Sequence, residues 1–336
     1  MSRMSNSFIL PMDTTNDSLE LIGGKGRSLA KMSNAGFDVP YGFHLNADAY
    51  RSFIAENNLQ DQIVALAKPA LENNWATFEP ASAAIQKLIT ACEISKTVAD
   101  QLRETYAKLG GNPPVAVRSS ANAEDLPGLS FAGQQETYLN VKGEEALIEA
   151  VRNCWASLWT AQAISYRHEN AIEQGSVAMA VVVQIMVPAE VAGIMFTANP
   201  ATGERNEMII NASFGLGEAV VGGQVTPDTF IIDRTKDDVK ETLIGPKEQM
   251  IIADGDQGTK ITDVQSADRD QSSLSDRLLN DLIQLGKKVE KNYEGLPQDI
   301  EWAIVDGKIS LLQSRPITNL PPQPLEVEWT PPDGIP

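Results

Sequence analysis

The chain has 336 residues, with 27 Lys and Arg against 45 Asp and Glu, a formal net charge of −18. Hydrophobic residues at 42% and charged residues at 21% exclude global disorder, and the length favours two domains or one domain with two lobes. The acidic balance excludes a general nucleic-acid binder, because a phosphate backbone demands a basic footprint, although a local basic pocket for a small phosphorylated ligand is compatible with it. Cys92 and Cys154 lie in separate helical segments, and His44 and His168 are the two histidines. Neither a disulfide framework nor a Cys-based or multi-histidine metal centre is available. The longest apolar stretch, Val177 to Val187, is broken by Gln184 and followed by Pro188 and Glu190. It is too short for a bilayer and reads as a buried strand. Met1 to Asp13 lacks the apolar core and cleavage site of a signal peptide, so a cytoplasmic protein without a membrane partner is expected.

The first half reads as mostly helical. Gly23-Gly24-Lys25-Gly26 opens a helix carrying Leu29, Met32 and Ala35, with Gly36 as its stop. Asn46 caps a second helix that buries Tyr50, Phe53 and Ile54. Two more follow, roughly 81–91 and 95–109, and end at Gly110-Gly111-Asn112-Pro113-Pro114. Val115 to Arg118 is a short strand leading into a long Ser-, Asn- and Gly-rich loop, and 144–169 is expected as the longest helix, with Leu147, Val151, Cys154, Trp155, Leu158 and Ile164 buried. Strands are expected at 177–187, 193–197, 207–213 and 229–233, then a helix at 275–293 and a hairpin over 299–315. Beyond Thr318 the density of proline leaves a linker or docking arm. The whole reads as α+β in two lobes with an extended tail.

The hairpin carries the most local chemistry. On its first strand Asp299 and Glu301 share one face while Ile300, Trp302 and Ile304 share the other; Gln313 and Arg315 share a face of the return strand. A two-residue Asp306-Gly307 turn would put Glu301 and Gln313 on opposite faces. A three-residue turn, Val305-Asp306-Gly307 with Gly307 left-handed, brings them together, and this turn is predicted. In that register Glu301 and Gln313 offer two oxygens to a hard cation such as Mg²⁺, and Arg315 can reach an anion beside it. The competing description is an exposed polar face of a surface hairpin.

Other motifs are individually weaker. Glycine backbone and the cation of Lys25 suit phosphate at a helix start, yet the Walker spacing is missing and Gly-rich helix starts are common. Arg118 ends a buried strand, which fixes its direction, and the loop after it, through Thr137, either folds over a ligand or is a surface loop. Phe214-Gly-Leu-Gly-Glu218 lacks the full dinucleotide fingerprint, and Glu218 equally suits a helix N-terminus. His168 reads as solvated, His44 as structural, and Trp155 and Trp159 as core.

Five segments together resemble one family. GGKGRSLAKMSNAGFDVP from Gly23, VAVRSSANAEDLPGLSFAGQQETYLNV from Val115, GIMFTANPATG from Gly193, FGLGEAVVGG from Phe214 and DIEWAIVDGKISLLQSRPIT from Asp299 resemble the nucleotide-binding domain of phosphoenolpyruvate synthase and pyruvate phosphate dikinase. The likeness runs in the family's order through Thr318. It implies a two-lobed ATP-grasp unit, with a first lobe over residues 1–186, a second over 187–318 and a tail over 319–336. By motif match, Lys25, Arg118 and Arg315 would bind the phosphates of ATP. Gly133 and Thr137 would belong to the covering loop, Gln184 would lie near adenine, and Glu218 is a softer carry-over. Glu301 and Gln313 would hold Mg²⁺.

The resemblance also implies an unusual reaction, in which ATP gives AMP and phosphate while the β-phosphoryl group passes to a histidine on a mobile domain. No Thr-Ser-His-Ala segment accompanies His44 or His168, and an acceptor-binding domain is not expected within these residues. The implied partners are therefore a histidine-bearing phosphocarrier domain or subunit and an acceptor-binding domain or subunit. Split relatives that phosphorylate phenol-type alcohols resemble one arrangement, and single-chain rifampicin phosphotransferase the other. A nucleotide-binding regulatory module without turnover is the alternative, and a dinucleotide-dependent oxidoreductase is disfavoured by the incomplete glycine motifs.

Overall fold

The computed structural model describes residues 7–72, 75–121, 136–318 and 320–322. The first half supplies β1 (Ile9–Pro11), α1 (Leu19–Asn34), β2 (Gly42–Leu45), α2 (Ala47–Glu56), α3 (Gln60–Leu66), the small hairpin β3 (Ala70–Glu72) and β4 (Trp75–Thr77), α4 (Glu79–Thr90) and α5 (Lys96–Lys108). It continues through β5 (Val115–Ala121), β6 (Thr137–Val141), α6 (Glu144–Ser157), α7 (Ala161–Glu169) and β7 (Met179–Ile185). The second half is β8 (Val191–Phe196), β9 (Glu207–Phe214), α8 (Glu218–Val221), β10 (Asp228–Asp233), β11 (Asp238–Leu243), β12 (Gln249–Ala253) and β13 (Thr259–Asp263). Then come α9 (Ser266–Arg269), α10 (Asp276–Asn292), β14 (Gln298–Val305) and β15 (Lys308–Pro316).

Two antiparallel sheets organise these elements: five strands in the order β1-β2-β7-β5-β6, and six in the order β11-β10-β9-β8-β14-β15. β7 lies in the middle of the first, buried on both faces, which explains the apolar run that precedes Gln184. Its alternation separates two cores. Val181 and Val183 pack with Phe53, Trp155, Val115 and Val117 beneath the helices, whereas Val182 faces a second core shared with Leu29 and Met32 of α1 and with Trp302 and Ile300 of β14. Helix α1 is thus held between the sheets. It ends where expected: Gly36 turns left-handed at φ +79, and the Phe37 N–H donates to the Met32 carbonyl at 3.2 Å. On the Ile300–Trp302 face of the second sheet, α10 lies close because Gly286 has no side chain; a Cβ there would stand 2.7 Å from the Met195 sulfur.

The helix expected over 144–169 is two helices. Thr160 accepts the Ala163 N–H at 3.2 Å and so caps α7 as a new start, a signal hidden by the apolar residues on either side. Helix α10, with 17 residues, is the longest instead. The caps at Asn46 and Ser275 each accept a backbone N–H three residues on. Trp155 and Trp159 are core, as expected, and His168 is exposed, its ring resting near Phe78. Among the described residues no helix is long and apolar enough to cross a membrane.

His44 is fully buried on β2, with Nε2 donating to the Met12 carbonyl at 3.2 Å. Loss of solvation lowers its pKa from 6.5 to about 4, against a smaller opposing effect of that hydrogen bond. The unfolded chain takes up a proton here below pH 6.5 and the folded chain only near 4, so stability falls as the pH drops through that window. The loss attributable to His44 is about 3 kcal/mol. Urea unfolding of the unsubstituted chain and of His44→Gln at pH 7 and 4.5 should show a smaller pH-dependent loss in the variant.

Candidate functional site

The site is assembled where β5 of the first sheet meets the β14–β15 hairpin of the second. On β5, Arg118 pairs with Val182 on one side and Thr137 on the other, and Ala116 pairs with Gln184. Parity therefore puts Arg118, Thr137 and Gln184 on the face directed at the second sheet. The guanidinium crosses that interface. Its Nη2 donates to Glu301 Oε2 at 2.7 Å and Gln313 Oε1 at 2.9 Å, and its Nη1 to the Leu312 carbonyl at 2.6 Å. Arg118 is 8% exposed, so these acceptors replace most of its water.

The expected three-residue turn is not the one formed. Val305 pairs with Lys308, leaving Asp306 and Gly307 as a two-residue turn with both residues left-handed, at φ +51 and +71. Asp-Gly suits that turn because its twist matches the flanking strands. By itself it would set Glu301 and Gln313 on opposite faces. A bulge further along corrects the parity: after Trp302↔Leu311 the register slips by one residue, giving Glu301↔Gln313 and Asp299↔Arg315. Leu312 is the extra residue, without a partner across the hairpin, and its carbonyl is the one that Arg118 takes.

The glycine run has a packing role. Helix α1 breaks at Gly23, with φ +67 and ψ 179, and a Cβ there would stand 2.3 Å from the Ser120 carbonyl oxygen. Ser120 Oγ donates to the Ile22 carbonyl at 2.7 Å and accepts the Gly26 N–H at 3.1 Å. The glycines thus admit β5 against the helix, and the Gly26 amide is already engaged. Lys25 is brought beside Arg118 nonetheless, its Nζ donating to the Ser119 carbonyl at 3.1 Å. Arg315 bonds through Nε and Nη2 to Asp299 Oδ2, both at 2.8 Å. Burial holds the Asp299 carboxyl above its usual range, and the Arg315 cation opposes that shift.

Gln184 is 2% exposed, and its Nε2 has no hydrogen-bond partner among the described residues. Two residues on, Met186 packs in a small apolar cluster with Leu216, Ala219 and Ile251. Glu218 begins the four-residue α8, is exposed and accepts from Thr259 at 3.3 Å; its hydrogen bond does not join it to the Arg118 cluster. Gly133 lies outside the described residues.

The model of the pyruvate phosphate dikinase AMP/ATP-binding domain matches residues 19–329. The chain belongs to this family. A probable phosphoenolpyruvate synthase of Methanocaldococcus jannaschii is 42% identical over 322 residues, covering 94% of this chain and 27% of that protein. Phosphoenolpyruvate synthase of Pyrococcus furiosus is 38% identical, with 92% of this chain and 43% of that protein covered. Rifampicin phosphotransferase of Streptomyces sviceus is 38% identical, with 96% and 37% covered. The chain thus spans less than half the length of each of these relatives. Among solved structures, D-alanine–D-alanine ligase of Helicobacter pylori aligns with 72% of this chain and 54% of its own at 11% identity, with a TM-score of only 0.30.

In this member of the dikinase AMP/ATP-binding family, the oxygens of Glu301 and Gln313 fit a hard cation in type. Among the described residues no group of three or more His, Cys, Asp or Glu side chains could hold a metal by itself. Two protein oxygens with the rest from phosphate and water is the donor set that Mg²⁺ accepts. Asp299 anchors Arg315, a role that spacing alone does not indicate although it places Asp299 on the Glu301 face. Ser120 and the Leu312 carbonyl gave no sequence signal, since one works through backbone proximity and the other through a bulge. Replacing Gly23 by Ala forces a left-handed alanine against Ser120 and should destabilise the fold by about 2–5 kcal/mol, read as a lowered urea midpoint.

Proposed function

We propose that this chain is the ATP-using part of a dikinase: it binds Mg·ATP and phosphorylates a histidine on a separate domain or partner chain, giving AMP and phosphate. The observation that carries the reading is the convergence of Arg118, Glu301 and Gln313 across the two sheets, beside Lys25. In this reading the unit is a two-lobed ATP-grasp, with lobes over 1–186 and 187–318. Lys25, Arg118 and Arg315 hold the phosphates, with Gly133 and Thr137 in the covering loop and Glu218 nearby. Gln184 meets adenine through the amide that lacks a protein partner, next to the apolar cluster around Met186. Glu301 and Gln313 hold Mg²⁺, which neutralises phosphate charge when bound.

Phosphoryl transfer asks for positioning and charge compensation rather than a protein nucleophile in this unit. The histidine nitrogen bonds to the β-phosphorus as the bond from that phosphorus to the α–β bridging oxygen breaks, and AMP departs. The γ-phosphoryl group passes to water and leaves as inorganic phosphate. Fully buried His44 is unsuited to be the acceptor, and His168 stands on α7 beside Phe78, so the histidine comes from elsewhere. The final acceptor, pyruvate or an alcohol, is selected by an acceptor-binding domain or subunit.

With Mg·ATP and a histidine-bearing partner, ³¹P NMR should find AMP and phosphate in equal amounts, and ADP as the sole product would refute the reading. Arg118→Ala should lower AMP formation by a factor of about 10² or more.

A further inference from the structure

We propose that Arg118 excludes a free divalent cation from Glu301 and Gln313, so that metal enters this site only in company with the phosphates of a nucleotide. The inference rests on the reading of those two residues as metal ligands. A single nitrogen, Arg118 Nη2, donates to both of the oxygens a cation would need, at 2.7 and 2.9 Å. A cation bound to both oxygens would sit against that nitrogen, and the guanidinium cannot lose its charge to make room. Nor can it turn away without losing the Leu312 carbonyl at 2.6 Å in a nearly dry setting.

A triphosphate gives Arg118 new acceptors in place of the Glu301 and Gln313 oxygens. Arg118 also keeps a buried Nε–H that has no partner among the described residues, a donor that a phosphate oxygen can satisfy. Arg118 is therefore exchanged from the metal ligands to phosphate as both components arrive.

Equilibrium dialysis with Mn²⁺ tests this directly, without turnover. The unsubstituted chain should retain little Mn²⁺ by itself and about one ion per chain when a non-hydrolysable ATP analogue is added. Equal retention with and without the analogue would overturn the proposal, and this arm requires no variant to fold. Arg118→Gln, checked for folding by circular dichroism, should bind Mn²⁺ alone at least about tenfold more tightly than the unsubstituted chain. Unchanged or weaker binding by the folded variant would also overturn it. The double variant R118Q/E301Q separates the two readings. If it still binds Mn²⁺ as tightly as R118Q, Glu301 is not a ligand and the metal site itself falls, taking the exclusion with it. If R118Q/E301Q binds Mn²⁺ more weakly than R118Q while the unsubstituted chain binds it as well as R118Q does, the metal site stands and only the exclusion falls.

Discussion

A guanidinium withdrawn from water must find acceptors, and Arg118 finds all of its own on the opposite sheet. Its strand is fixed on both sides by β6 and β7, while Glu301, Gln313 and the Leu312 carbonyl belong to a hairpin about 200 residues further along the chain. Removing one partner of such a pair leaves a largely buried charge without compensation, at a cost of about 3–5 kcal/mol. The same contact therefore sets the separation of the two sheets and gathers the polar groups of the site. Stability and the proposed chemistry draw here on the same three hydrogen bonds.

Other contacts keep the sheets in the arrangement that this one needs. Ser28 of α1 bonds to the Ser314 carbonyl and to Tyr293, and Asp38 accepts from Lys308 and Ser310 while its carbonyl takes the Leu311 N–H. On another side, the β12–β13 turn reaches back to the first sheet, where Asn140 Nδ2 donates to the Gly258 carbonyl at 2.9 Å and Lys142 pairs with Asp256. The base of that hairpin is secured by Lys247, wholly buried and paired with Asp228, which also accepts from Ser273. A sealed pair of this kind adds little net stability over apolar packing but penalises any arrangement that separates its members.

How legible all this was depended on the range over which each signal acts. The cap at Asn46, the Gly36 stop, the central strand β7 and helix α10 are local patterns, and they stood in the chain as read. The all-exposed strand β11 carried no apolar alternation, and β2 was too short to show one, so neither was foreseen. The break at Leu158–Thr160 was masked because apolar residues on both sides continue the same stripe. The hairpin is the instructive case. The pairing of Glu301 with Gln313 was reached through the wrong turn, because strand parity can be corrected at either end of a hairpin and sequence alone does not say where.

The sequence by itself determined which residue types share a strand face, where the main helices begin, and that five motifs lie in the order of the dikinase nucleotide-binding family. Those are matters of spacing along one chain, and backbone periodicity settles them. Only the tertiary structure decided that Leu312 is the extra residue of the bulge, that the Gly23 run serves contact with Ser120, and that Arg118 rests on Glu301 and Gln313. Each of these depends on how closely two remote backbones approach, which is set by the packing of α1 between the sheets and leaves no mark in local spacing.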